Sequence, residues 1–122
     1  KAINIYRHLL RDRHRSVLYK ELAALIDDRQ LKIALLTRAI ATQRDEKFRL
    51  RMRFQLANML FNTHKPYAKY ELEKCISARK AAKYAITWEM QNLEATLAET
   101  PPVSEASQRE FYRSQEAVVW RI

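Results

Sequence analysis

The side chains with the most chemistry to offer are three histidines, one cysteine, one pair of adjacent acids and two runs of arginine and lysine. Metal binding needs ligands converging from spacings such as i, i+4 on a helix or paired cysteines two to four residues apart. His8, His14 and His64 show no such spacing among themselves or with Cys75, and His8 and His14 sit among arginines that repel a cation. No metal and no cofactor is expected. Cys75 lies on an apolar stripe with Leu72 and Ile76, which reads as a small core residue rather than a nucleophile. Asp27 and Asp28 are neighbours, so on a helix they point about 100° apart and read as a solvated helix end, not a catalytic pair. No Ser-His-Asp or Cys-His arrangement is legible, and the chain is not expected to be an enzyme.

The basic runs remain. Arg7, Arg11 and Arg15 recur every four residues, a single stripe on a continuous helix and a fit for phosphates or an acidic peptide. In the second run, Lys47 and Arg51 share one helix face while Arg49 and Arg53 share another, so only one pair can serve a given ligand. Phe48 and Phe54 could stack bases beside them, although core packing is the expected use of both. Binding of this kind would be sequence-blind and salt-sensitive.

Composition narrows the scaffold that positions these groups. The 122 residues carry a net charge of +9, one cysteine, three prolines and no glycine. An average chain of this length has roughly 7% glycine. Its absence excludes motifs that need positive φ or backbone pressed against phosphate: the Walker A loop, the dinucleotide fingerprint, the nucleophile elbow and the EF-hand loop. It also removes the glycine-bearing hairpin turns of small β proteins. With 48% hydrophobic residues a packed core is expected. No apolar run reaches the ~18 residues of a membrane span and none resembles a secretory signal. One thiol cannot form an internal disulfide, so a reducing, cytosolic setting is expected. The chain begins with Lys1 and ends on Val118-Val119-Trp120-Arg121-Ile122, which suggests a segment of a longer protein whose apolar end packs against a neighbouring domain or subunit.

Helical spacing dominates. Leu18, Leu22, Leu25 and Ile26 form one apolar stripe; Ala68, Leu72, Cys75 and Ile76 form another; Ile86, Met90, Leu93 and Leu97 form a third. The pattern predicts seven helices, at 2–12, 15–27, 31–43, 46–62, 66–80, 83–99 and 105–119. Pro66 suits a first helical turn, Thr100-Pro101-Pro102 ends the sixth helix, and Ser107 with Glu110 reads as a capping box for the last. Residues 47–56 alternate apolar and basic as a half-buried strand would, but a lone strand has no partner here. Leu50, Phe54, Ala57 and Phe61 make an equally valid helical stripe, so helix is expected.

The chain also repeats itself. Leu18, Met52 and Ile86 lie 34 residues apart, as do Leu22, Leu56 and Met90, and Leu25, Met59 and Leu93. Ala23 and Ala57 match at the same offset. The intervening helices repeat at 36: Leu36 with Leu72, Ala39 with Cys75, Ile40 with Ile76, continuing to Phe111 and Tyr112.

A 34-residue helix–turn–helix period with Leu56-Ala57, Ala68 and Cys75-Ile76 resembles the tetratricopeptide repeat. The likeness covers residues 15–99, with 105–119 as a terminal helix, and departs from the family in lacking its turn glycine and in placing Gln91 where the third copy should be small. It implies an all-α, short α-solenoid of antiparallel helical hairpins, a single domain over 1–122, acting as a protein-interaction or scaffolding module. The family's inner groove is lined by the first helix of each hairpin. That implies Lys20, Glu21, Ala24, Arg51, Gln55, Asn58, Asn62, Trp88, Glu89 and Asn92 as partner-facing residues, with Asn58 and Asn92 matched at the 34-residue offset. The partner would be a protein, a peptide or a neighbouring domain of the same protein.

Segments such as Leu18-Tyr19-Lys20-Glu21-Leu22-Ala23 and Ala68-Lys69-Tyr70-Glu71-Leu72-Glu73 are also similar to a helical accessory domain of large bacterial conflict proteins. The other functional expectation is a basic accessory domain that contacts nucleic acid phosphates through Arg7, Arg11, Arg15, Lys47, Arg49 and Arg53.

Overall fold

The computed structural model describes residues 21, 23–25 and 28–119. Arg7, Arg11, Arg15 and Lys20, the histidines His8 and His14, the first helix and most of the second lie outside these residues. The described part is all-α, with helices α1 (Arg29–Thr42), α2 (Glu46–Leu60), α3 (Lys65–Ala81), α4 (Trp88–Thr96) and α5 (Glu105–Val119). Glu21 and Ala23–Leu25 are also helical. The alternating run 47–56 is helix, because the stripe Leu50, Phe54 and Ala57 meets a core and no strand exists for it to pair with among the described residues.

By contact the chain divides into two units, Lys1–Arg49 with Arg109–Ile122, and Leu50–Gln108. In the first, α1 is buried around most of its circumference: Ile33, Ala34, Leu35, Leu36, Thr37, Ala39 and Ile40 are all excluded from water. A helix apolar on nearly every side must be surrounded to be stable. Its one polar intruder, Thr37, donates its hydroxyl to the Ala34 carbonyl at 2.7 Å, which removes the desolvation penalty. Asp28 caps α1 by accepting from the Leu31 N–H at 3.1 Å, so it belongs to a helix start; Asp27 lies outside the described residues. Arg38 reaches Glu116 at 3.5 Å. Val119 is buried and Val118 half-buried; the rest of the apolar end, Trp120–Ile122, lies outside the described residues.

The second unit holds Leu56, Ala57 and Leu60 of α2, Ala68, Leu72 and Ile76 of α3, and Leu93 and Leu97 at α4, all buried. Leu50, Cys75 and Met90 form a buried cluster against which Phe54, Ala78 and Ile86 pack, drawing α2, α3 and α4 onto one core. The 97–103 segment is tied back to the start of α3: Lys69 donates to the Leu97 carbonyl at 3.1 Å and Val103 N–H to the Pro66 carbonyl at 3.2 Å.

Apart from shifts of one or two residues at α1 and α3, two boundaries and one cap differ from the sequence expectation. The helix expected over 83–99 is α4, Trp88–Thr96. Residues 82–87 are not helical because α3 ends in a Schellman-type closure: Tyr84 N–H bonds the Arg79 carbonyl at 2.8 Å and Lys83 N–H the Lys80 carbonyl at 3.1 Å. That closure requires a left-handed residue at the position usually filled by glycine, and Lys83 takes it with φ 62°. Thr87 then caps α4 by accepting from Met90 N–H at 3.2 Å. Second, α2 stops at Leu60, leaving Asn62 in the following turn rather than on the helix. Third, the hydroxyl that caps α5 belongs to Ser104, which accepts from Ser107 N–H at 3.1 Å. Ser107 lies inside the helix, and Glu110 pairs with Arg113 at 3.0 Å instead of closing a capping box.

Candidate functional site

Of the second basic run, Lys47 and Arg51 are exposed, whereas Arg49 and Arg53 are half-buried. Arg49 leans on Glu46 one turn earlier at 3.3 Å. Arg53, expected to be open to phosphate, is instead committed to the interior. Its Nη1 donates to Glu71 Oε1 at 2.6 Å, with side chains only 12% and 2% exposed. Glu71's second oxygen accepts from Gln108 Nε2 at 3.2 Å. A carboxylate buried this deeply is tolerated because both oxygens are hydrogen-bonded and a guanidinium supplies the counter-charge. The network joins α2, α3 and the first turn of α5 within one unit and removes Arg53 from any surface role.

The groove residues implied by the resemblance fall as follows. Arg51, Gln55 and Asn58 are exposed on α2, spaced by four and three residues and so along one face. Asn58 donates its amide to the Phe54 carbonyl of its own helix at 3.3 Å. Glu89 and Asn92 are exposed on α4, on the face that flanks buried Met90 and Leu93. Glu21, Ala24 and Asn62 are exposed as well. Trp88, at the first position of α4, is 72% exposed, the most open of the large hydrophobic side chains among the described residues. Phe54 packs on the core as expected, but Phe48 is 49% exposed and is not a core residue.

Cys75 is fully buried, its thiol 3.5 Å from the Leu50 carbonyl. Burial pushes its pKa up; the positive charges of Arg79 and Arg53 pull the other way without cancelling it. The thiol is therefore held neutral, the opposite of what a nucleophile needs. His64 stands at an exposed helix start, with Nδ1 2.8 Å from the Thr63 hydroxyl and its ring edge-on to Tyr67. Among the described residues no group of three or more His, Cys, Asp or Glu is placed to hold a metal ion. Nor is any helix of these residues long and apolar enough to cross a membrane.

Sequence reading missed one surface. Between Glu73 and Glu89 the chain carries Lys74, Arg79, Lys80 and Lys83 and no acid. The turn from α3 to α4 sits in that acid-free stretch, and on it Lys80, Lys83, Tyr84 and Trp88 are all exposed, Tyr84 by 43%. The signal was present as a local charge run, but assigning 83–99 to a helix hid the turn that displays it.

No curated protein and no solved structure matches the chain. A family model described as a domain of unknown function, DUF7017, matches residues 1–117. That is nearly the whole length, so the chain belongs to the DUF7017 family.

Proposed function

We propose that this chain is a non-catalytic protein-interaction module, a tetratricopeptide-like stack of helical hairpins that holds a protein, a peptide or a neighbouring domain of its own parent protein. The observation that carries this reading is the arrangement of α2 and α4. Both helices bury one face in the shared cluster through Leu50 and Met90, and both leave a polar face in water: Arg51, Gln55 and Asn58 on one, Glu89 and Asn92 on the other. Uncharged amides at such positions bind peptide backbone by donating and accepting at once. An accessory role in a bacterial defence protein and a cytosolic setting belong to the same reading. They are supported by the segment likeness and by a free, buried thiol.

Replacing Asn58 and Asn92 together by alanine tests the groove. Both are exposed, so far-UV circular dichroism should be unchanged while capture of the specific partner in a pull-down is lost. Partner capture equal to wild type would show that these faces are not the docking surface.

A further inference from the structure

We propose that the α3–α4 turn, Lys80–Trp88, is a binding site for single-stranded nucleic acid, in which bases stack on Trp88 and Tyr84 and phosphates meet Lys80 and Lys83. This site shares Trp88 with the residues expected to face a partner, but Lys80, Lys83 and Tyr84 are not among those, and it does not depend on what Asn58 and Asn92 bind.

Its first support is the way the turn is built. Ile86 is the inward anchor, packed against Leu50, Cys75 and Met90. On either side of it the backbone is fixed: Tyr84 N–H to the Arg79 carbonyl, Arg79 Nε to the Ala85 carbonyl at 2.9 Å, and the Thr87 cap on α4. The segment is therefore held by its own hydrogen bonds while Tyr84 and Trp88, two residues before and after the anchor, are left in water. Exposing a large indole and a phenol on a tied-down turn is costly in hydration and unnecessary for the core, which Ile86 already serves. Lys83 adds a second cost, since a non-glycine residue at φ 62° is strained. Backbone strain of this kind is kept where the conformation it enforces has a use.

Charge selects the occupant. The stretch from Lys74 to Trp88 contains four cations and no acid. Arg79 is engaged with the Ala85 carbonyl and Lys74 lies over the Tyr70 ring at 5.5 Å. Lys80 and Lys83 are exposed and form no ion pair among the described residues. Two exposed lysines and two exposed aromatic rings within residues 80–88 supply both the phosphate-binding and the base-stacking groups that a single strand needs. A duplex hides its base faces and would leave both rings unused. An acidic peptide would satisfy the lysines but give the indole nothing to stack on.

The test is fluorescence anisotropy of fluorescein-labelled (dT)20 and (rU)20 titrated with the full chain. Two phosphate contacts give a salt slope near −1.4, so affinity should fall about sevenfold between 50 and 200 mM salt through this site. Trp88→Ala should weaken binding by about fivefold or more, and Trp88→Phe should restore most of it, because the ring rather than the indole N–H stacks. Lys80→Ala with Lys83→Ala should flatten the salt dependence by about 1.4 in slope. Comparable (dT)20 and (rU)20 affinity supports stacking without sugar recognition; a preference for either supports the site and identifies the natural strand. Absence of binding at 50 mM salt overturns the proposal. So does binding that Trp88→Ala leaves unchanged, or polyglutamate competing as well as unlabelled (dT)20, since either would show a plain cationic surface for acidic proteins. Unaltered circular dichroism in each variant keeps loss of binding distinct from loss of fold.

Discussion

Replacing Glu71 by alanine leaves the Arg53 guanidinium half-buried without its counter-charge and Gln108 without its acceptor. Removing one partner of a buried ion pair costs about 3–5 kcal/mol. Here the 2.6 Å contact is short, but Arg53 keeps 12% of its side chain in water, so the low end applies: about 3 kcal/mol. With a urea m-value of about 1–3 kcal/mol/M, that moves the unfolding midpoint down by roughly 1–3 M. Arg53→Ala should cost nearly as much, because it strands the more deeply buried Glu71. The pair should not be additive: Arg53→Ala with Glu71→Ala should fall at least about 1.5 kcal/mol short of the sum of the singles. An apolar replacement of all three, Arg53→Met, Glu71→Leu and Gln108→Leu, should return stability to within about 1–2 kcal/mol of wild type. Urea unfolding followed by circular dichroism measures each variant. Single replacements costing under about 1 kcal/mol, with additive doubles, would refute the claim that this network binds α2, α3 and α5 together.

The Schellman closure predicts that Lys83→Gly stabilises the chain. Relief of left-handed strain, roughly 1–2 kcal/mol, exceeds the roughly 0.4–1 kcal/mol of added unfolded-state entropy. Thermal denaturation should show a midpoint a few degrees higher. Ser104→Ala should cost about 1 kcal/mol by removing the α5 cap, while Ser107→Ala should cost only a few tenths. The reverse order in chemical denaturation would return the cap to the sequence-predicted position. Cys75 should react slowly with a thiol reagent at pH 8 in the native chain and rapidly in urea. Because its folded pKa is raised, the stability it contributes is intact below the unfolded thiol's pKa, about 8.5. That contribution should decline as pH climbs toward the folded value, so a midpoint in urea that is flat from pH 8 to 10 in wild type and in Cys75→Ala alike would contradict the assignment.

Apolar spacing was enough to locate the cores. Leu36 and Leu72, Ala39 and Cys75, Ile40 and Ile76 are buried at both positions of each matched pair, because a helix hides whatever recurs every three to four residues. What spacing could not convey was where a helix stops when its stop signal has an unusual residue. Glycine at position 83 would announce a C-cap; lysine announces nothing, and by spacing alone Ile86 reads as the first member of the α4 stripe. Thr87 was the legible clue, a capping residue just ahead of Trp88-Glu89. Phe48 and Phe54 show the same limit from the side: identical residues six apart, one on the core and one in water, separated only by the phase of the helix.

The basic residues were the least legible part, for a physical reason. A sequence counts charges, but folding decides which of them acquire partners. Arg53 and Lys80 are equivalent in a composition and opposite in the structure: one is neutralised by a carboxylate 18 residues away, the other faces solvent in a stretch without acids. The field outside a protein comes from the charges left uncompensated, screened over about 8–10 Å at physiological salt. Counter-ion distance therefore outranks cation density in choosing a polyanion site. By that measure the run Lys47–Arg53 loses two of its four cations to Glu46 and Glu71, whereas Lys80 and Lys83 keep theirs. Reversing the α3–α4 turn with Lys80→Glu and Lys83→Glu should accordingly depress (dT)20 binding more than the same reversal at Lys47 and Arg51. Equal losses would mean that net charge, not local compensation, sets the affinity.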